Sequence, residues 1–142
     1  MSYVRNWLHC VWGTKAKTPL LTSSNKAEIL NHILENARSK GIFIKAINGD
    51  KDHIHFLLSL NPDQSLSKVI QLLKGESSFW INKQKLSRTK FEWANEYFAV
   101  SLSESQIEKV RTYILNQEGH HKKKSWDEEY DEFMKNYNFE KI

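Results

Sequence analysis

The central stretch of the chain is IFIKAINGDKDHIHFLLSL, residues 42–60. Residues 42–47 and 53–60 are apolar and rich in side chains that favour strands. Residues 48–51 between them, from Asn48 to Lys51, have the composition of a turn. The stretch therefore predicts an antiparallel hairpin near the middle of the chain.

The segment before the hairpin predicts a strand and then a helix. Residues 3–12 are rich in aromatic and β-branched side chains and are followed by Gly13, which predicts the first strand. Four N-cap candidates at 22–25 then precede apolar residues at helical spacing, and Gly41 supplies a stop. We expect the first helix between these signals.

The segment after the hairpin repeats this order in reverse, with a helix before a strand. Apolar or small residues recur at three- and four-residue spacing from Ser65, at Leu66, Val69, Ile70, Leu73, Ser77 and Trp80. Residues 97–102 predict a fourth strand. The order is that of the ferredoxin-like (RRM-like) α+β fold, βαββαβ, with a four-stranded antiparallel sheet and both helices on one face.

Two further helices are predicted near the end of the sequence. Capping boxes begin at Ser103 and Ser125. The second of these helices has an apolar stripe and acidic residues, which favour an amphipathic cap with a solvated face. We expect one domain over 1–142, composed of a core at 1–102, a third helix at 103–119 and an acidic C-terminal helix at 125–138.

Composition and charge narrow the function classes. Residues 1–124 hold 19 basic and 11 acidic side chains, a net charge of +8, whereas residues 125–142 carry −4. A basic body attracts polyanions, so nucleic acid is a candidate partner. The single cysteine, Cys10, excludes an internal disulfide and a thiolate zinc cage. Without a long apolar run or a signal-peptide pattern, we expect a cytoplasmic protein.

The first candidate functional motif is His53-Ile54-His55 in the predicted third strand. Alternate residues of a strand project from the same face, so the two imidazoles can bind one metal ion together. Two imidazoles leave such a site incomplete, and an accidental histidine pair facing core or solvent is an equally good interpretation of the motif alone.

The second motif is Tyr113 and Gln117 in the third helix. Residues four apart lie on the same helical face. The buried stripe is expected at Ile107, Val110 and Ile114, with Tyr113 and Gln117 at its edge, where side chains can reach a cleft. Taken alone, this pair is better interpreted as an ordinary half-buried tyrosine beside a surface glutamine, and it is the combination with His53 and His55 that favours a functional role.

These motifs together resemble the single-tyrosine HUH transposases of small bacterial insertion sequences, in the superfamily of REP-associated tyrosine transposases. The resemblance extends from Trp7 to about residue 124 and rests on the order and spacing of four blocks, at 48–58, 66–75, 97–101 and 113–117. One departure is Lys51, where many relatives carry proline. This difference affects the turn and leaves the two histidines in place.

The resemblance implies a mechanism and the residues that perform it. His53, His55 and Gln117 correspond to the ligands of a divalent cation, Mg²⁺ or Mn²⁺, and Tyr113 to the nucleophile. Such an enzyme cleaves and rejoins single-stranded DNA through a 5′-phosphotyrosine intermediate during transposition. It also implies hairpin-containing element ends as substrate, a homodimer whose subunits share active sites, and association with the nucleoid when DNA is bound.

Other interpretations remain open at this stage. The chain could be a domesticated relative acting on chromosomal repeats, a non-catalytic RRM-like nucleic-acid-binding module or a structural metal protein. His9 is expected to be a structural histidine and Cys10 a core side chain. The candidate phosphate contacts are Lys15, Lys17, Lys74, Lys83, Lys85, Arg88 and Lys90, with the basic connector at 120–124 as a further candidate.

Overall fold

The computed structural model describes residues 3–116 together with residues 128, 131 and 132. Its elements are β1 (Trp7–Gly13), α1 (Lys26–Ser39), β2 (Phe43–Asp50), β3 (His53–Ser59), α2 (Leu66–Lys83), β4 (Phe98–Leu102) and α3 (Ile107–Leu115). Single 3₁₀ turns lie at Lys15–Lys17 and Glu104–Gln106. The strands form one antiparallel sheet in the order β2-β3-β1-β4, which confirms the predicted ferredoxin-like α+β fold.

The helix ends follow the predicted local signals. The Ser65 side chain accepts a hydrogen bond from the Lys68 backbone N–H at the start of α2. Helix α1 ends before Gly41, whose φ of 71° lies in the left-handed region that favours glycine. Ser103 and Gln106 form the predicted capping box, which surrounds the 3₁₀ turn that leads into α3.

The hairpin turn is shorter than the sequence predicts. Strand β2 does not end at residue 47; it continues to Asp50, and the turn comprises residues 51 and 52. Gly49 pairs with Ile54, and a Cβ at Gly49 would lie 2.5 Å from the His53 backbone oxygen and 2.7 Å from Ile54 Cγ2. Gly49 therefore allows β2 and β3 to approach closely. The sequence instead predicts a turn at this glycine, from the composition of residues 48–51.

The first strand also starts later than predicted. Residues 3–6 are exposed and lie outside the sheet, and pairing begins at Trp7, which is opposite Ser59 of β3 and Leu102 of β4. The neighbouring strands β3 and β4 end opposite Trp7, and beyond this level the Asn6 backbone oxygen still accepts a hydrogen bond from the Leu60 N–H at 3.1 Å. The fourth strand similarly begins at Phe98, one residue later than expected.

The two faces of the sheet carry different helices. Helices α1 and α2 cover one face and enclose the larger core with Cys10, Phe56 and Leu58, as predicted. Helix α3 packs on the opposite face, where Ile107 and Ile114 contact a smaller cluster with Trp7, Ala46 and Leu57. Because side chains alternate along a strand, His9, His53 and His55 share the face covered by α3.

The third helix is shorter than the expected 103–119, because α3 runs from Ile107 to Leu115 with Asn116 as its C-cap; residues 117–119 lie outside the described residues. The acidic helix expected over 125–138 also falls largely outside them; of its residues, Glu128, Asp131 and Glu132 are helical and exposed. No helix among the described residues is long and apolar enough to cross a membrane.

Candidate active site

His53 and His55 lie side by side on β3, under helix α3. Both side chains are fully buried, and their ring centroids are 5.1 Å apart with the ring planes at 69°. Strand β3 pairs with β1 on one side and β2 on the other. The backbone that carries the two imidazoles is therefore fixed by hydrogen bonds along both edges.

Asp52 holds the first of these histidines. Its carboxylate Oδ1 is 2.8 Å from His53 Nδ1, and the Asp52 side chain is itself buried. The Asp52 backbone oxygen accepts hydrogen bonds from the Thr14 N–H, at 2.8 Å, and from the Thr14 hydroxyl, at 3.2 Å. Asp52 is not among the site residues expected from the sequence, although an acidic residue directly before the first histidine is a visible signal.

His9 holds the second histidine in a similar way. His9 Nε2 is 3.0 Å from His55 Nδ1, and the two rings lie edge to edge with centroids 5.3 Å apart and ring planes at 27°. His9 is 2% exposed, which fits the expected structural histidine, but its partner is a proposed metal ligand. The pair is visible only once the register of β1 against β3 is known. Val11 lies opposite His55 and His9 opposite Leu57, so His9 and His55 are diagonal neighbours on the same face of the sheet.

Tyr113 of helix α3 packs against His55 and His9. Its half-buried ring is edge-on to His55, with centroids 5.8 Å apart, and edge-on to His9, at 6.3 Å. Aromatic pairs favour such edge contacts at these separations. One chain thus brings Tyr113, His53 and His55 together, whereas Gln117 lies outside the described residues.

Helix α3 is fixed at both ends. Trp7 Nε1 donates a 2.8 Å hydrogen bond to the Glu104 carboxylate in the turn before α3. That hydrogen bond, with a second one from Arg5, lowers the pKa of Glu104. At the other end, Asn48 Nδ2 donates to the Leu115 backbone oxygen at 3.1 Å. These contacts, together with the buried stripe, set where Tyr113 lies relative to the strands.

The histidine pair fits a divalent cation through its donor chemistry. Ligand histidines commonly donate the N–H of one ring nitrogen to a carboxylate or another acceptor and bind the metal through the other. Asp52 and His9 lie at hydrogen-bond distance from the two Nδ1 atoms, which leaves Nε2 of each ring as the atom that could bind a cation. Within the part of the chain that the structure describes, no group of three or more His, Cys, Asp or Glu is arranged to hold a metal. A cation at the histidine pair would therefore need a further ligand of another type.

Two residues considered in the sequence analysis serve the fold. Cys10 is fully buried on the face opposite the histidines, and burial raises the pKa of its thiol to about 12, so it is protonated near neutral pH. Lys74 Nζ donates hydrogen bonds to the backbone oxygens of Ala94, Asn95 and Glu96, at 2.7, 3.2 and 3.2 Å. Burial lowers the pKa of Lys74, although nearby Glu96 opposes this effect.

The other candidate phosphate contacts are exposed on the surface. Lys15 and Lys90 both form ion pairs with Glu92, at 3.3 and 3.4 Å. Lys83 lies over the Phe79 ring, 5.9 Å from its centroid. The connector at 120–124 lies outside the described residues.

Comparisons with known proteins agree with this fold. The family model described as IS200-like transposase matches residues 2–117. The ISDra2 transposase TnpA of Deinococcus radiodurans is 25% identical over 115 residues, which cover 77% of this chain and 81% of that protein. A solved transposase from Deinococcus radiodurans R1 superimposes with a TM-score of 0.63 at 23% identity, covering 82% of this chain and 95% of the other.

A second solved structure shares the fold at lower identity. It is a REP-associated tyrosine transposase bound to a REP hairpin, with a TM-score of 0.63 and 14% identity. The match covers 85% of this chain and 72% of that protein. At this identity the likeness describes the fold alone.

Proposed function

Because the chain belongs to the IS200-like transposase family, we propose that it is a metal-dependent enzyme that cleaves and rejoins single-stranded DNA through a 5′-phosphotyrosine intermediate. The observation that carries this proposal is the packing of the Tyr113 ring against His55, with centroids 5.8 Å apart, beside a second histidine that shares its face. A half-buried phenol beside two buried imidazoles can provide a nucleophile and two nitrogen ligands.

The reaction is a transesterification at phosphorus. Tyr113 Oη attacks the scissile phosphate, the bond from phosphorus to the 3′ oxygen breaks, and that oxygen leaves as a 3′ hydroxyl with a proton. A phenol keeps its proton near neutral pH, so the proton leaves Tyr113 as attack proceeds. The phosphotyrosine bond conserves the energy of the broken one, and attack by a 3′ hydroxyl in the reverse direction rejoins a strand.

The histidines and their partners prepare the site for this step. His53, His55 and Gln117 would hold Mg²⁺ or Mn²⁺, which when bound polarises the scissile phosphate and offsets charge that develops in the transition state. Asp52 orients His53 through the 2.8 Å contact at Nδ1. Helix α3 orients Tyr113 through its two buried isoleucines, Ile107 and Ile114.

We propose hairpin-containing single-stranded element ends as the DNA substrate. A REP-associated relative with this fold binds a REP hairpin, and the net charge of +8 over residues 1–124 favours a polyanionic partner. A homodimer with shared sites belongs to the same proposal. Within one chain, Tyr113 already contacts His55, so dimer sharing requires α3 to reach the partner in place of its own sheet.

The first experiment looks for a covalent protein–DNA band on a denaturing gel. Wild type, Tyr113→Phe and His53→Ala are incubated with Mn²⁺ or Mg²⁺ and single-stranded DNA that carries the native flanking sequence. Tyr97→Phe is the matched control, since Tyr97 is also half-buried but packs with Lys74 on the other side of the molecule from α3. We expect the band in wild type and Tyr97→Phe only.

The contrary outcomes are specific. Binding of the DNA without any band, in the presence of either metal, would favour the non-catalytic binding module. A band that persists in Tyr113→Phe would identify another nucleophile. Mixing Tyr113→Phe with His53→Ala tests the shared site, because only a dimer that combines Tyr113 of one subunit with the histidines of the other restores the band.

A further inference from the structure

His9 is a buried histidine that the proposed reaction does not use, although it contacts two residues that the reaction does use. Its side chain is 2% exposed. Nε2 of His9 lies 3.0 Å from Nδ1 of His55, and the His9 ring meets the Tyr113 ring edge-on at 6.3 Å. The same ring therefore packs against the proposed nucleophile and hydrogen-bonds to a proposed ligand.

The direction of this hydrogen bond follows from what His55 must do. A neutral imidazole has one N–H donor and one acceptor nitrogen. If His55 binds a cation through Nε2, its proton lies on Nδ1, and Nδ1–H donates to Nε2 of His9. His9 then carries its own proton on Nδ1. The contact between Asp52 and His53 Nδ1 has the same arrangement, with a carboxylate as the acceptor.

We propose that His9 is a positioning residue, which accepts the Nδ1–H of His55 and thereby fixes the tautomer and ring orientation in which His55 Nε2 binds the divalent cation. This inference rests on the proposed function. His9 also differs from Asp52 in charge, because a neutral imidazole provides an acceptor without a second buried negative charge, which would be costly to desolvate.

The test measures Mn²⁺ binding to the full chain by titration calorimetry. His9→Phe keeps an aromatic ring beside Tyr113 but removes the acceptor, and His9→Gln restores an acceptor as an amide oxygen. We expect His9→Phe to weaken Mn²⁺ binding by about 10- to 100-fold, the usual effect of removing such a partner, and His9→Gln to recover most of the loss. Cys10→Ala, a buried change on the same strand but the opposite face, should bind as wild type.

A second readout follows the proton itself. Two-bond ¹H–¹⁵N correlation spectra of the metal-free protein report which ring nitrogen of each histidine is protonated. We expect the His55 proton on Nδ1 in wild type and a shift towards Nε2 in His9→Phe. Because a histidine in an unfolded chain also favours the Nε2–H tautomer, the shift is read only in a His9→Phe variant whose backbone amide spectrum is that of the folded protein. The wild-type measurement needs no variant to fold.

Each outcome decides between the inference and its premise. Wild type that fails to bind Mn²⁺ would refute the metal-dependent function and this inference with it. Wild type that binds while His9→Phe binds equally well would refute only the role of His9. A His55 proton found on Nε2 in the metal-free wild type would also overturn the inference.

Discussion

Helix α3, which carries Tyr113, contacts the sheet through few side chains. Ile114→Ala should therefore release α3 from the sheet without unfolding the sheet. The helix has nine residues, too few to be stable alone in water. Of these, only Ile107 and Ile114 are fully buried, at 3% and 0% exposure. The position of Tyr113 therefore depends on two isoleucines and on the hydrogen bonds at the helix ends.

The expected cost can be estimated from burial. Replacing a fully buried isoleucine by alanine costs about 2–5 kcal/mol, because apolar contact is lost and a cavity remains. Ile114 packs in the smaller cluster, whose other members include Leu57 and Ala46. If this free energy is lost from the docking of α3 on the sheet alone, the population of molecules with α3 undocked rises by about 30-fold to 4,000-fold, since each 1.4 kcal/mol is a factor of ten.

Amide hydrogen exchange separates local release from global unfolding. We expect faster exchange in α3, unchanged exchange in β1 and β3, and a reduced yield of the covalent DNA adduct. Leu115→Ala is the matched control, because Leu115 is the next residue and is 46% exposed; it should change stability by less than about 0.5 kcal/mol. Equal acceleration in β3 and α3 would refute the reasoning, as would unchanged exchange in α3.

Two further predictions concern the hairpin and the turn before α3. Gly49→Ala should destabilise the fold by about 1–3 kcal/mol, because the added Cβ would clash with the His53 backbone oxygen and the Ile54 side chain. Gly75→Ala in α2, whose added Cβ would have no neighbour within 4 Å, should stabilise the fold by about 0.5–1 kcal/mol. Urea unfolding measures both free energies, and equal effects would contradict the contact argument. The Trp7 hydrogen bond is the main cause of the lowered Glu104 pKa, so Glu104 stabilises the fold above pH 4.5 and loses this contribution as pH falls through the lowered pKa. On acidification below pH 4.5, Glu104→Gln should therefore lose less stability than wild type. Identical dependence of the free energy of unfolding on pH in the two proteins would contradict this.

The order of elements could be predicted because each carries its own local signal. Ser65 caps α2 and Gly41 ends α1 through contacts within a few residues. Ile107 and Ile114 are buried as helical periodicity predicts, with Val110 half-buried between them. Such signals need no knowledge of distant parts of the chain, so periodicity and capping suffice.

Side-chain partners across the sheet could not be predicted, because they depend on strand register. His9 is 46 positions from His55, and the expected range of β1 gave no register against β3. The turn was misplaced for a related reason. Asn48, Gly49 and Asp50 favour turns, but their pairing with β3 keeps them in the strand, so tertiary contacts outweigh local preference.

Cys10 provides the molecule with a built-in chemical reporter. It is the single thiol of the 142-residue chain, fully buried between the sheet and the α1/α2 layer, and its pKa of about 12 keeps it unreactive while that layer is closed. Release of α3 uncovers the other face and leaves this thiol enclosed. The rate at which Cys10 reacts with a disulfide reagent would therefore measure the opening of the main core alone, in the unaltered protein and without an introduced label.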